Sequence, residues 1–171
     1  MVAVAYSILW LLAVWKWGDL ENWKEYYPTM LFAIVGNLLY EVICFNYPMW
    51  AMEPNGLPNQ TIPILLLSLV GMPLSVFVFL SHYPDTHTKL RQALYILLFV
   101  CIFVVLEHVS VLLGSITYHN GWSLVWSAWF NVVMFTIIRI HYKKPVLALL
   151  LSTIFIGFLS VIFDVSLDKM K

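Results

Sequence analysis

Charged side chains are scarce in this sequence. Nine Lys or Arg and nine Asp or Glu residues are spread over 171 positions, 11% of the chain, where an ordinary soluble domain carries about 25%. That is too little charge to cover a core of this size with polar surface, which excludes water as the main solvent. The charges also cancel to a formal net charge of +0, so no basic face is on offer to nucleic acid or another polyanion. Cysteine is nearly absent. Cys44 and Cys101 both lie inside apolar runs, which argues against a disulfide framework and leaves each as a small buried apolar residue. There is no His-Glu-x-x-His, no Gly-x-Ser-x-Gly and no phosphate-cradling glycine loop, so no catalytic residue, metal site or cofactor is expected, and the chain is not read as an enzyme. His82 and His87 flank Pro84 and Asp85 without a convincing ligand set, and they read as a solvated turn.

Apolar residues make up 62% of the chain, and they fall into six runs. A helix needs roughly 20 residues to cross a hydrocarbon layer of about 30 Å. Residues 29–47, 62–82, 90–113, 122–140 and 146–163 satisfy this comfortably, while residues 2–17 are short and span only with local thinning or snorkelling flanks. The runs are continuous rather than alternating, which disfavours strands. The expected fold is therefore all-α, a single polytopic transmembrane bundle of about six spans, with the lipid bilayer as its first partner. Association with itself or with other subunits stays open. The apolar stretch from Met1 to Trp15 lacks a basic leader and a small-residue cleavage site, so it is expected to be a retained span rather than a removed signal peptide.

Basic residues set the expected orientation, because loops rich in Lys and Arg stay in the cytoplasm. Lys16, Lys24, Lys89, Arg91, Arg139, Lys143 and Lys144 fall in or beside the first, third and fifth loops, while Lys169 and Lys171 in the tail are the discordant pair. Both termini are thus expected outside the cytoplasm. Trp15, Trp17, Trp23, Tyr26 and Tyr27 read as interface anchors at the inner ends of the first two spans, with Trp50 and Trp122 at outer ends. Tyr27-Pro28, Tyr47-Pro48 and Tyr83-Pro84 each mark an expected helix boundary. Pro73, inside the third span, predicts a kink.

Polar groups within the runs are the functional leads, since each is costly in lipid unless it finds a partner. Asn37, Tyr40, Glu41 and Cys44 follow helical spacing and are expected to share one face toward the bundle interior. Glu107 and His108 are adjacent, about 100° apart around a helix, so one or the other points inward but hardly both. Ser123, Ser127 and Asn131 form one stripe and Thr153, Gly157, Ser160 and Asp164 another, both suited to close helix packing. With the inferred orientation, Glu41, Glu107 and Asp164 lie in the outer halves of their spans, and an acidic pocket opens outward if these spans are neighbours. A glutamic acid bonded to an imidazole there can bind a cation, pass a proton or simply lock two helices. Arg139 is expected to snorkel to the interface.

One further pattern concerns the first 50 residues. Trp15-Lys16-Trp17-Gly18-Asp19, Asn22-Trp23-Lys24-Glu25-Tyr26-Tyr27-Pro28-Thr29, Gly36-Asn37-Leu38-Leu39-Tyr40 and Asn46-Tyr47-Pro48-Met49-Trp50 together resemble an uncharacterised family of small multi-pass membrane proteins from spore-forming Gram-positive bacteria. The resemblance implies a bacterial cell membrane and supplies no catalytic residues. In that family the second span often carries an acid where this chain has Asn37, and the nearest acid here is Glu41. The leading functional expectation is a pocket that binds or conducts a small solute or cation, with Glu41 and Glu107 as charge sites, His108 and Asn37 orienting them, and Tyr40 and Asn131 nearby. The alternative is a non-catalytic scaffold or subunit of a membrane complex.

Overall fold

The computed structural model describes residues 1–165 and 170. These form six α-helices, α1 (Val2–Trp17), α2 (Trp23–Ile43), α3 (Thr61–Ser81), α4 (Lys89–Leu112), α5 (Leu124–Lys143) and α6 (Pro145–Ile162), of which α2 to α6 are long and apolar enough to cross a membrane. Two three-residue strands, β1 (Trp50–Met52) and β2 (Ile116–Tyr118), pair antiparallel with Trp50 opposite Tyr118 and Met52 opposite Ile116. That sheet departs from the expectation of no strands. It is too short to leave an alternating pattern in sequence, and it exists because two interhelical loops meet at the same end of the molecule.

The two ends are held by different groups. At the sheet end, Asn55 is the hub. Its backbone and side-chain oxygens accept from the Met1 ammonium, and its side-chain amide donates to the Leu113 carbonyl at 2.9 Å. At the opposite end, the His82 Nε2 lies 2.7 Å from the Trp17 carbonyl, and the Asp19 amide donates to Ser81 at 3.1 Å. Helix α1 therefore runs from the sheet end to the far end beside α3, despite its 16 residues.

Helix α3 is the axis of the bundle, packed by α1 and α2, while α4 packs on α5 and α5 on α6. From Met72 to Leu80 nearly every side chain is buried, and Phe79 and Val76 are wholly so. The break expected at Pro73 takes the form of a widened π turn over Leu67–Gly71, in which the Met72 amide donates to Leu67, five residues back. A proline has no N–H to donate, and one extra residue in the preceding turn absorbs the mismatch. The Ser75 hydroxyl donates to the Met72 carbonyl at 2.8 Å.

Three boundary and packing expectations are corrected. The second helix begins at Trp23, not at residue 29, and passes through Pro28, which sits early enough in the helix to sacrifice a single backbone bond. It also ends at Ile43 rather than 47. Tyr26 is a buried core residue and not an anchor, stacked on Tyr142 at 5.6 Å and bonded to Asp19 at 3.0 Å. Finally, the Thr153, Gly157, Asp164 face of the last helix is exposed, and none of the described residues lies within 4 Å of a Cβ built on Gly157. Helix α6 packs through Ala148 and Leu159 instead. The tail lysines Lys169 and Lys171 fall outside the described residues.

Gly18 ends α1 where there is no room for a side chain. A Cβ there would lie 2.6 Å from the Val14 carbonyl oxygen and 2.8 Å from a ring carbon of Phe77. Both neighbours are fixed, one by the helix and one by the core. Gly18→Ala is expected to destabilise the fold by about 1–3 kcal/mol, the usual range for overpacking, as read from unfolding titrations in detergent.

Candidate functional site

Beneath the sheet lies a cavity of about 150 Å³ whose polar lining includes Tyr6, Asn37, Glu107, Ser110, Ser127 and Asn131. Four helices place these groups, and the sheet covers them. In β1 and β2 the side chains of Trp50, Met52, Ile116 and Tyr118 share one face because strand residues alternate, and that face is turned toward the helices. In α4, Glu107 and Ser110 are three residues apart and so lie on the same side.

Glu107 is the centre of a directed hydrogen-bond chain. The Trp122 indole N–H donates to Ser127 Oγ at 2.8 Å, Ser127 Oγ donates to Glu107 Oε1, and the Tyr118 hydroxyl donates to the same oxygen at 2.6 Å. Burial, and then the bond to Glu107, hold the Tyr118 phenol well above its usual pKa range. Glu107 Oε2 has no hydrogen-bond partner among the described residues. Nearby, the Tyr6 hydroxyl donates to the Leu106 carbonyl at 2.8 Å. Ser110 Oγ lies 2.8 Å from that carbonyl and 3.3 Å from Tyr6.

The expected polar residues separate into three groups. Asn37, Glu107 and Asn131 line this cavity. Tyr40 does not. It lines a second cavity of about 170 Å³ between α2, α5 and α6, and its hydroxyl is used up in holding the sheet: it accepts from the Met49 and Trp50 amides at 3.0 and 2.8 Å and donates to the Trp50 carbonyl at 2.6 Å. Its ring stacks on Trp50 with centroids 3.8 Å apart. Glu41 and His108 belong to neither cavity. His108 is exposed on the outer side of α4, and Glu41 is half-buried with no hydrogen-bond partner among the described residues. The structure thus does not assemble a Glu41, Glu107, Asp164 pocket, because Glu41 and Asp164 line neither space.

Asn37 is the residue common to both cavities that matters chemically. Its Nδ2 is buried and has no hydrogen-bond partner among the described residues, an arrangement that is costly in a folded protein unless a ligand or water completes it. At the far end, Arg139 reaches the loop after α3. Its side chain is 14% exposed, pairs with Asp85 and lies over the Tyr83 ring at 4.6 Å. Among the described residues no group of three His, Cys, Asp or Glu side chains is placed to hold a metal ion.

Sequence reasoning missed Tyr118, Tyr6 and the wall role of Trp122. Tyr118 lies in an interhelical segment without helical periodicity, and Tyr6 lies in the run too short to be trusted as a span. Trp122 is 6% exposed, a buried wall of the cavity rather than an interface anchor. No protein family, curated protein or solved structure matches the chain.

Proposed function

We propose that this chain is an integral protein of a cell membrane whose six helices cross the bilayer, and that its sheet end opens outward on a pocket that binds or conducts a small solute or cation. The observation that carries the reading is the cavity itself: one carboxylate among the described residues, held by Tyr118 and Ser127, in a space lined mostly by apolar side chains. A buried ionisable group in a span is a functional lead by default.

The membrane setting is supported by where the apolar surface lies. Val161 is 82% exposed, Val125 72% and Leu112 71%, and such residues cover the outer faces of α2, α4, α5 and α6. Soluble monomers seldom expose apolar patches beyond a few hundred Å². All seven Lys and Arg among the described residues lie at or near the end opposite the sheet, which favours that end as cytoplasmic and the N-terminus as external. A bacterial source rests on the family resemblance, and the position at which that family carries an acid is here the cavity-lining Asn37.

The test is flux or binding in reconstituted vesicles. Glu107→Gln is expected to abolish solute-dependent signal, whereas Glu41→Gln, outside both cavities, leaves it unchanged. Equal activity of wild type and Glu107→Gln would reject the pocket reading. A scaffold role is favoured by one observation, the exposed small-residue face at Gly157; under that reading Gly157→Leu disrupts a complex while Glu107→Gln has no effect.

A further inference from the structure

The cavity beneath the sheet has a chemistry narrow enough to name its ligand class, an inference that rests on the pocket reading above. No Lys or Arg among the described residues lines it, so an anion finds no counter-charge among them. A divalent metal is poorly served as well, since calcium sites gather six to eight oxygens, several of them carboxylate, and Glu107 is the one lining carboxylate among the described residues.

What the cavity does offer is hydrogen-bond acceptors and aromatic faces. Glu107 Oε1 is saturated by Tyr118 and Ser127, which leaves Oε2 to a ligand. The Ser7 hydroxyl donates to the Ala3 carbonyl at 2.9 Å and Ser110 to Leu106 at 2.8 Å. Each has spent its one proton on backbone and keeps its lone pairs. Around these, Trp50, Trp122 and Phe130 form a mutually packed wall with centroid separations of 4.9, 5.7 and 6.2 Å, and Trp10 and Phe103, 5.9 Å apart, form another. Aromatic faces attract cations most strongly where water is excluded. Among the buried side-chain donors that line it, Asn37 Nδ2 has no partner among the described residues. An engineered cavity of about 150 Å³ in another protein holds benzene, so roughly six heavy atoms fit.

We propose that this cavity binds a small primary alkylammonium ion carrying an oxygen acceptor at its far end, with the ammonium at Glu107 Oε2 and the acceptor at Asn37 Nδ2. Three N–H donors meet an acceptor-rich lining, the aliphatic chain lies against the aromatic walls, and the terminal oxygen completes the orphaned amide. A bare alkylammonium leaves Asn37 unsatisfied. A neutral diol of the same length leaves Glu107 without a counter-charge.

The probes are 4-amino-1-butanol, n-butylammonium and 1,4-butanediol, titrated against the full chain in lipid nanodiscs at neutral pH. Tryptophan fluorescence reports binding, because Trp10, Trp50 and Trp122 line the site. The amino alcohol is expected to bind at least about tenfold more tightly than the diol, the scale of one charge-assisted bond. Glu107→Gln erases that ratio. Asn37→Ala erases the advantage of the amino alcohol over butylammonium and leaves the ammonium preference intact. If the diol binds as tightly as the amino alcohol to the wild-type protein, the ammonium proposal is wrong while the solute pocket stands. If none of the three probes binds, the ammonium proposal fails, and the flux test of Glu107→Gln decides the pocket reading separately. Displacement by potassium chloride, but not by N-methylglucamine chloride at equal ionic strength, would assign the site to an inorganic cation and overturn the proposal. The comparison of ligands on the wild-type protein requires no variant to fold.

Discussion

Glu107→Ala is expected to remove ligand binding and to lower the unfolding free energy by about 2 kcal/mol, whereas Glu107→Gln costs less than about 1 kcal/mol. The difference follows from what the side chain satisfies. Alanine leaves the Tyr118 hydroxyl and Ser127 Oγ, with the Trp122 indole behind it, as donors with nothing to bond. Glutamine keeps an oxygen in the place of Oε1. Hydrogen bonds between helices in lipid average about 0.6 kcal/mol, since the separated helices find other partners, so two lost bonds and two orphaned donors sum to the lower part of the range seen in water. Reversible unfolding by mixed-micelle titration reads the stability, and the fluorescence titration reads the ligand. An alanine variant as stable as wild type would mean that the chain from Trp122 to Glu107 is not formed.

The larger loss belongs to Phe79. Its ring is fully buried and touches Tyr83, Tyr95, Phe99 and Phe135 at centroid separations of 5.5, 5.6, 5.1 and 5.0 Å. Truncating a buried Phe to Ala in a soluble protein costs about 3–5 kcal/mol, part from transfer out of water and part from the cavity left behind. In a bilayer the separated helix keeps its Phe in oil, so the transfer part falls away and the packing part remains. Phe79→Ala is therefore expected to cost about 3 kcal/mol, the bottom of that range. Val161→Ala, on a side chain 82% exposed, is expected to change stability by less than about 0.5 kcal/mol. Equal effects from the two would show that α3 is not the axis of the bundle.

Much of the architecture was legible because hydrophobic length is a local property. Five long apolar runs became five long helices, and the short first run became the short helix α1. What the runs did not contain was any record of which loops meet. The pairing of Trp50–Met52 with Ile116–Tyr118 joins segments far apart in sequence, and three residues are too few to show alternation. Pro28 misled the start of α2, because a proline removes one backbone bond of a helix without necessarily ending it. The adjacency of Glu107 and His108 did predict that only one faces inward, and the structure turns Glu107 in and His108 out. Glu41 illustrates the opposite difficulty. Helical spacing places it with Asn37 and Tyr40, yet a 100° step per residue makes such a face broad, and Asn37 reaches the cavity from it while Glu41 does not.

The second cavity bears on access. It lies between α2 and α6 against α5, shares Asn37, Trp50 and Phe130 with the first, and is lined mostly by apolar side chains. Asn37 lines both spaces, and the one below the sheet holds more of the polar groups. Tyr40 fixes Trp50 by stacking and by two hydrogen bonds, and accepts a third from the Met49 amide.

The proposed insertion and orientation are tested most directly by cysteine labelling in intact cells. With Cys44 and Cys101 replaced by alanine, single cysteines are introduced as Pro58→Cys in the segment before α3 and Thr86→Cys in the segment after it, both at exposed positions. A membrane-impermeant maleimide is expected to label the Pro58→Cys protein in intact cells and the Thr86→Cys protein only after permeabilisation. Labelling of Thr86→Cys in intact cells with Pro58→Cys protected, or release of the protein from membranes by alkaline carbonate, would contradict the account.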